Sequence, residues 1–129
     1  SRKTQTMKYD ETFDPPAPVA EITLRDINTG ERIENVFVLL DTGADVSLLP
    51  LSAIEKLKIS PSVEKISLIG FDNSRSISET YALQVIFLGK RLTGEYCTTD
   101  SAVGILGRDV LNLFSITFDG INLEWKAQG

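Results

Sequence analysis

The sequence predicts a single domain that is mainly β. From Val19 onward, short apolar segments alternate with turn residues, as in VAEITL, NTGE and IENVFVLL, and this is the spacing of successive strands. The segments with helical spacing are short. A length of 129 residues with 42% hydrophobic residues suits one compact domain with its own core.

The first 18 residues differ in character from the rest of the chain. They are polar and end in DPPAP, where prolines fix φ and remove N–H donors, so neither a helix nor a central strand is expected. We therefore interpret residues 1–18 as a flexible, proline-containing tail and residues 19–129 as the folded domain.

The run VFVLL, residues 36–40, has no polar alternation. Such a run predicts a strand that is buried on both faces. This strand would deliver the next residues, Asp41-Thr42-Gly43-Ala44, to the protein interior.

Two later segments predict short helices. LSAIEKL (51–57) follows a proline and places apolar residues three apart over about two turns. RDVLNLF (108–114) has the same kind of spacing. Both are too short to change the fold class.

Two pairs of apolar segments predict hairpins. VEKISLIG and SISETYALQVIFLG flank the polar stretch FDNSR, which predicts two long strands joined by an exposed tip. GKRLTGEYCTTD continues as strand and turn. SITFDGINLEW predicts a terminal hairpin that turns at Asp119-Gly120.

Charge and composition exclude several classes of function. The formal charge of −5 and the lack of a long Lys/Arg run predict no nucleic-acid partner and no contact with an anionic membrane surface. This segment contains no stretch with the features of a signal peptide or a transmembrane helix. The single cysteine, Cys97, favours a reducing, cytoplasmic location and an apolar packing role. With no histidine in the chain, Ser-His and Cys-His mechanisms and a zinc site are not expected.

The segment LLDTGAD carries the chemistry. Asp41 leaves an apolar strand and enters a Thr-Gly turn, where the Thr42 hydroxyl and backbone N–H groups can solvate its carboxylate. Peptide hydrolysis by carboxylates needs two such groups, one ionised to take a proton from water and one protonated to polarise the carbonyl. Asp109 lacks a following Thr-Gly, so we expect a two-fold homodimer to bring together two copies of Asp41.

LLDTGADVSLLP, the following hairpin and GILGRDVL occur in the order of these motifs in retropepsins, and the chain resembles that family over roughly residues 19–126. The resemblance implies an all-β, closed acid-protease barrel with one short C-terminal helix, assembled as a two-fold homodimer. It implies that Asp41 is catalytic, that Thr42 interlocks with its symmetry mate, and that the Gly43 carbonyl receives the substrate backbone.

The resemblance also implies roles for residues near the catalytic loop. Ala44 and Asp45 would line the cleft, the stretch ending at Gly107 would pack beside the loop, and Arg108 would pair with Asp45. The hairpin tip at Ile69, Gly70 and Phe71 would be a flap that closes over the substrate. Further candidate walls of the substrate pockets are Leu39, Val46, Val103 and Ile105.

The terminal hairpin is expected to form much of the dimer interface. Its apolar side chains Phe118, Ile121, Leu123 and Trp125 would be buried there.

The sequence therefore predicts an aspartic endopeptidase that cleaves extended polypeptides without a metal or organic cofactor, with activity favoured at acidic pH. Two alternatives remain open. One is a catalytically silent module that keeps the fold for dimerisation or peptide binding, and the other is one lobe of a monomeric, pepsin-like parent.

Overall fold

Strands make up most of the structure, a computed structural model that describes residues 4–62, 65–69 and 75–128. The elements in these ranges follow in this order: β1 (Thr4–Asp10), β2 (Ala17–Arg25), β3 (Arg32–Leu40), β4 (Leu48–Pro50), α1 (Leu51–Lys56), β5 (Lys65–Ile69), β6 (Arg75–Glu79), β7 (Tyr81–Phe87), β8 (Lys90–Thr99), β9 (Gly104–Leu106), α2 (Arg108–Leu111), β10 (Ser115–Asp119) and β11 (Glu124–Gln128). The expected all-β class is confirmed.

Six strands close into a barrel. They are joined in the order β2-β3-β9-β4-β8-β7, and β7 pairs back onto β2. Strand β3 runs parallel to β9, with Leu40 opposite Leu106. The two strands therefore end side by side, and Asp41 and Gly107 leave the barrel at neighbouring points.

A second group of strands is built from the two ends of the chain. Strand β11 lies between β10 and β1, and β1 continues the sheet to β2. Residues 4–10, which we expected in a flexible tail, thus form a strand along β11, with Met7 opposite Trp125. The prolines that suggested a tail lie after this strand. Its pairing partner is more than 100 residues away in the sequence, so a local pattern could not indicate it.

Strand β3 is buried on one face only. Val36, Val38 and Leu40 belong to the core, whereas Phe37 is 49% exposed and Leu39 is half-buried. The prediction that both faces are buried is therefore wrong. The alternate residues point out of the barrel because side chains alternate along a strand, and this second face remains an accessible apolar surface.

The predicted helices and the terminal hairpin are present, and so are the strands of the other predicted hairpin, whose tip lies outside the described residues. α1 and α2 lie where the spacing indicated, so the structure has a short helix in addition to the C-terminal one implied by the resemblance. β5 and β6 pair as a hairpin, with Ile69 opposite Arg75. The predicted second long strand is divided into β6 and β7 at Thr80. No helix in the described ranges has the length and apolarity needed to cross a membrane.

The terminal hairpin β10–β11 forms as expected, but one of its predicted interface residues is part of the core. Trp125 is 0% exposed, and its indole Nε1–H donates a 2.9 Å hydrogen bond to the carbonyl of Val19. Phe118 and Ile121 are 38% and 95% exposed. Of the four predicted interface residues, Phe118 and Ile121 are thus the ones whose side chains are exposed to solvent.

Candidate active site

The loop after β3 holds the Asp41 carboxylate by backbone hydrogen bonds. The Gly43 N–H donates to Asp41 Oδ1 at 2.8 Å, and the Asp41 N–H donates to the carbonyl of Leu106 at 3.0 Å. The Ala44 N–H donates to the Asp41 carbonyl at 3.2 Å. These bonds fold residues 41–44 into a tight turn at the mouth of the barrel, with a half-buried carboxylate.

The turn leaves little room for a side chain at position 43 and faces outward. A Cβ added at Gly43 would lie 3.1 Å from Asp41 Oδ1, closer than most side chains approach one another. Thr42 and Gly43 are both exposed in the single chain. The expectation that residues 41–44 reach the protein interior is therefore wrong for these two residues.

Arg108 holds the same turn from the other side. Its Nη1 donates a 2.7 Å hydrogen bond to the carbonyl of Thr42, and its backbone N–H donates to the carbonyl of Ala44 at 2.8 Å. In the described part of the chain, Arg108 forms no ion pair with Asp45, which is exposed. The ion pair found there joins Lys126 to Glu124. The guanidinium thus engages a backbone carbonyl in place of the carboxylate that the resemblance suggested.

A hydrogen-bond network centred on the buried Ser47 fastens the other end of the loop. The Ser47 hydroxyl donates to Asp109 Oδ1 at 2.6 Å and accepts a hydrogen bond from the Gly107 N–H at 3.0 Å. The Ser47 N–H donates to Asp109 Oδ2 at 3.1 Å. Sequence reasoning missed this network. The position of Asp109 in the first turn of a helix favours a carboxylate there, but no signal in the sequence indicates Ser47 as its partner.

Gly107 allows the two segments to approach closely. A Cβ at this position would come within 2.8 Å of the carbonyl oxygens of both Ala44 and Val46. Backbone atoms cannot move aside as the end of a side chain can. The glycine before Arg108 is therefore required by the contact between α2 and the loop.

Two of the predicted pocket residues lie side by side on the sheet, and three more lie in the loops beside it. Leu39 on β3 is opposite Ile105 on β9, and both are half-buried, as are Val103, Ala44 and Val46. Side chains two residues apart share a face of a strand, so this apolar surface leads away from Asp41. Of the predicted flap residues, Gly70 and Phe71 lie outside the described residues, as does the side chain of Ile69.

Two other kinds of group in the described region could carry chemistry, namely the thiol of Cys97 and clusters of acidic side chains. The Cys97 thiol is buried, and burial, followed by the charge of Asp109, raises its pKa, which disfavours the nucleophilic thiolate. No group of three or more Cys, Asp or Glu side chains among residues 4–62, 65–69 and 75–128 is placed to hold a metal ion. The Asp41 turn is the remaining candidate.

The family model of the retroviral aspartyl protease matches residues 17–118, which is more than half of the chain. The chain belongs to the retroviral aspartyl protease family. This confirms the resemblance stated from LLDTGAD and GILGRDVL. The match begins where β2 begins and ends within β10, so it contains the whole barrel and both segments of the candidate site.

Solved structures of this family share the fold. EIAV protease in complex with the inhibitor HBY-793 is 25% identical, with a TM-score of 0.53, over 74% of this chain and 86% of that protein. A retropepsin-like aspartic protease from Rickettsia conorii is 14% identical, with a TM-score of 0.59, over 99% of this chain and 94% of that one. The second likeness concerns the fold alone. No curated protein sequence gave a significant match.

Proposed function

We propose that this chain is an aspartic endopeptidase that hydrolyses peptide bonds of extended polypeptides as a homodimer. The observation that carries the proposal is the Asp41 carboxylate, held at the end of β3 by the Gly43 N–H in a chain of the retroviral aspartyl protease family. Hydrogen bonding of this kind fixes a carboxylate in place for proton transfer.

A second subunit must supply the other carboxylate. Within the candidate site, Asp109 is occupied by three hydrogen bonds, two from Ser47 and one from the Val110 N–H, and it serves the loop structurally. Asp45 is exposed and follows the turn rather than the strand. A two-fold axis beside Asp41 supplies an identical carboxylate with the same hydrogen bonds.

Two carboxyl groups at hydrogen-bond distance share one proton, since two negative charges so close together are unfavourable. The ionised Asp41 of one subunit removes a proton from a water molecule, which attacks the peptide carbonyl carbon. The protonated Asp41 of the other subunit donates a hydrogen bond to the carbonyl oxygen and then passes its proton to the leaving nitrogen. No metal or organic cofactor takes part in this sequence. Because the pair must hold one proton, activity favours acidic pH.

The neighbouring residues bind substrate and support the turn. The Thr42 hydroxyl interlocks with its symmetry mate, and the Gly43 carbonyl accepts a hydrogen bond from the substrate backbone. The exposure of both residues in the single chain leaves them available for these contacts. Gly107 and Arg108 act as structural support through their contacts with the 42–46 backbone.

The substrate lies along the apolar surface. Its side chains contact the pocket residues Leu39, Val103 and Ile105, with Ala44, Asp45 and Val46 beside the catalytic turn. The hairpin tip at Ile69, Gly70 and Phe71 closes over the peptide and excludes water. Half-buried apolar residues on one surface support a preference for apolar side chains near the scissile bond.

The subunits meet through the terminal strands. Strand β10 is at the edge of its sheet, where unpaired backbone groups can bond to a partner strand. Phe118 and Ile121 are the exposed large apolar residues of this hairpin, and Leu123 is half-buried beside them. Their burial against a second copy would remove apolar surface from water.

A peptide library tests the activity. The wild-type protein should cleave apolar sites, with greatest activity at acidic pH and inhibition by pepstatin-like transition-state mimics. Asp41→Asn should abolish cleavage and keep the dimer, because the amide fills the same volume but cannot supply the shared proton. Asp100→Asn, an exposed loop residue, is the matched control and should cleave normally. A wild-type dimer that binds peptides and cuts none would support the silent module instead.

A further inference from the structure

A separate pocket adjoins the apolar surface next to Asp41. It has a volume of about 240 Å³ and lies between the segment that follows β1 and the outer face of β2 and β3. Its lining residues are Asp10, Thr12, Phe13, Val19, Phe37 and Val103. Of these six residues, Val103 is the one for which the sequence predicted contact with the substrate.

The pocket continues the surface that begins at the catalytic turn. Phe37 and Leu39 are two residues apart on β3 and share its outer face, and Val19 on β2 is opposite Leu39. Phe37 precedes Asp41 by four residues, which corresponds to about 13 Å along an extended strand. A peptide lying across this surface therefore reaches Phe37 about two to four residues from its scissile bond.

The chemistry of the pocket favours an apolar guest. Phe37 is 49% exposed although it lies in the central part of an apolar strand, and Phe13 and Val19 are half-buried beside the same space. An aromatic side chain in this position gains free energy when another apolar group covers it.

The rim of the pocket carries one acid. The Asp10 carboxylate accepts hydrogen bonds from the Thr12 hydroxyl at 2.6 Å and from the Thr12 N–H at 2.9 Å. These hydrogen bonds lower the pKa of Asp10, which favours a charged carboxylate at the rim. An acidic guest side chain would be repelled.

We propose that this pocket is a distal specificity subsite, which takes an apolar side chain of the substrate peptide outside the pair of residues at the scissile bond. This inference rests on the proposed function, since it places the substrate along the surface that leads from Asp41. Phe37 supplies the floor of the subsite, and Phe13 supplies the wall that faces it from the segment after β1.

The test uses binding as well as cleavage, so that it does not depend on turnover. Peptides with leucine, glycine or glutamate at each position two to five residues from the scissile bond are titrated against Asp41→Asn, with and without Phe37→Ala. At one position, leucine should bind at least about ten-fold more tightly than glycine or glutamate, and Phe37→Ala should remove that preference. Phe13→Ala should weaken it at the same position.

The control and a cleavage assay separate the outcomes. Ile27→Ala truncates another exposed apolar residue, 40% exposed, away from the pocket and should leave every peptide affinity unchanged. In the cleaving enzyme, Phe37→Ala should raise KM for the leucine peptide and leave kcat and the glycine peptide unaffected.

Cleavage with no leucine preference at any of these positions would overturn the subsite and leave the protease activity standing. If Phe37→Ala lowered the affinity for all peptides equally and also weakened the dimer, the subsite would be overturned as well, because the pocket would then be an interface between copies. Absence of cleavage by the wild-type protein would refute the proposed function, and the affinities measured with Asp41→Asn would still decide whether the pocket selects an apolar side chain.

Discussion

The Ser47 hydroxyl donates a 2.6 Å hydrogen bond to the carboxylate of Asp109, a residue 62 positions later in the chain. The same hydroxyl accepts the N–H of Gly107 at 3.0 Å, and Ser47 is 1% exposed. One buried side chain thus ties the end of the Asp41 loop to the start of α2. The position of Asp41 depends on this connection as well as on its own turn.

Replacing Ser47 by alanine should destabilise the protein by about 1–3 kcal/mol, because the Gly107 N–H and one Asp109 oxygen lose their buried partner. Urea unfolding measures this change. Ser60→Ala, at an exposed position after α1, is the matched control and should change the unfolding free energy by less than about 0.5 kcal/mol. Equal stability of the two variants would mean that the network does not fasten the loop.

Gly107→Ala should also destabilise the protein, by about 1–3 kcal/mol or more, because its methyl group would lie 2.8 Å from two carbonyl oxygens. Gly120→Ala is the control, since a Cβ there meets nothing within 4 Å. Thermal unfolding of the pair should show a much lower Tm for Gly107→Ala alone. A similar Tm for both would contradict the close approach.

Arg108→Met keeps most of the side-chain length and removes the hydrogen bond to the Thr42 carbonyl. We expect kcat/KM for peptide cleavage to fall about ten-fold as the turn loosens. Arg32→Met, an exposed position at the start of β3, should cleave like the wild type.

Arg108→Met also tests which partner Arg108 uses, when it is combined with Asp45→Asn. Because the guanidinium bonds to the Thr42 carbonyl, Asp45→Asn should leave the free energy of unfolding unchanged. If Asp45→Asn lowers the free energy of unfolding in the wild type but has no effect when it is added to Arg108→Met, the two residues form an ion pair.

Tyr96 should make the fold sensitive to alkaline pH. Its hydroxyl donates to the Leu92 carbonyl at 2.7 Å, and burial, with a smaller effect of the Asp109 charge, raises its pKa from 10.0 to about 12. The folded state holds the proton more tightly than the unfolded chain. The stabilising contribution is therefore complete below pH 10 and is lost as the pH rises to 12.

The wild type should lose about 1–2 kcal/mol of unfolding free energy more than Tyr96→Phe over this interval, because solvent screens a partly buried hydroxyl. Urea unfolding of both proteins at pH 9 and pH 12 measures the difference, and titrating lysines affect the two equally. Parallel pH profiles would show that the Tyr96 hydroxyl ionises as readily in the folded protein as in the unfolded one.

Much of the fold could be predicted from local patterns. The turn residues between apolar runs indicated β2 and β3, and the terminal hairpin followed from Asp119-Gly120. The helical spacing at 51–57 and 108–114 placed both short helices, because each has apolar residues on one face packed against the barrel. The turn at Asp41 was evident because an acid at the end of an apolar run is unusual.

The remaining features depend on contacts between distant residues. Strand β1 exists because β11 pairs with it, and nothing in residues 4–10 alone indicates that partner. The burial of Trp125 and the exposure of Phe37 depend on which sheet covers which face. The Ser47–Asp109 bond joins two ordinary residue types, so only the folded chain distinguishes it from a pair on the surface.

Mixing subunits tests the central claim most directly. Wild-type protein is combined with Asp41→Asn at a constant total concentration under conditions that let subunits exchange, and peptide cleavage is measured as a function of the wild-type fraction. If one active site needs an Asp41 from each of two subunits, activity should fall with the square of that fraction. A fall in direct proportion to the wild-type fraction would show that each chain cleaves by itself and would contradict the account.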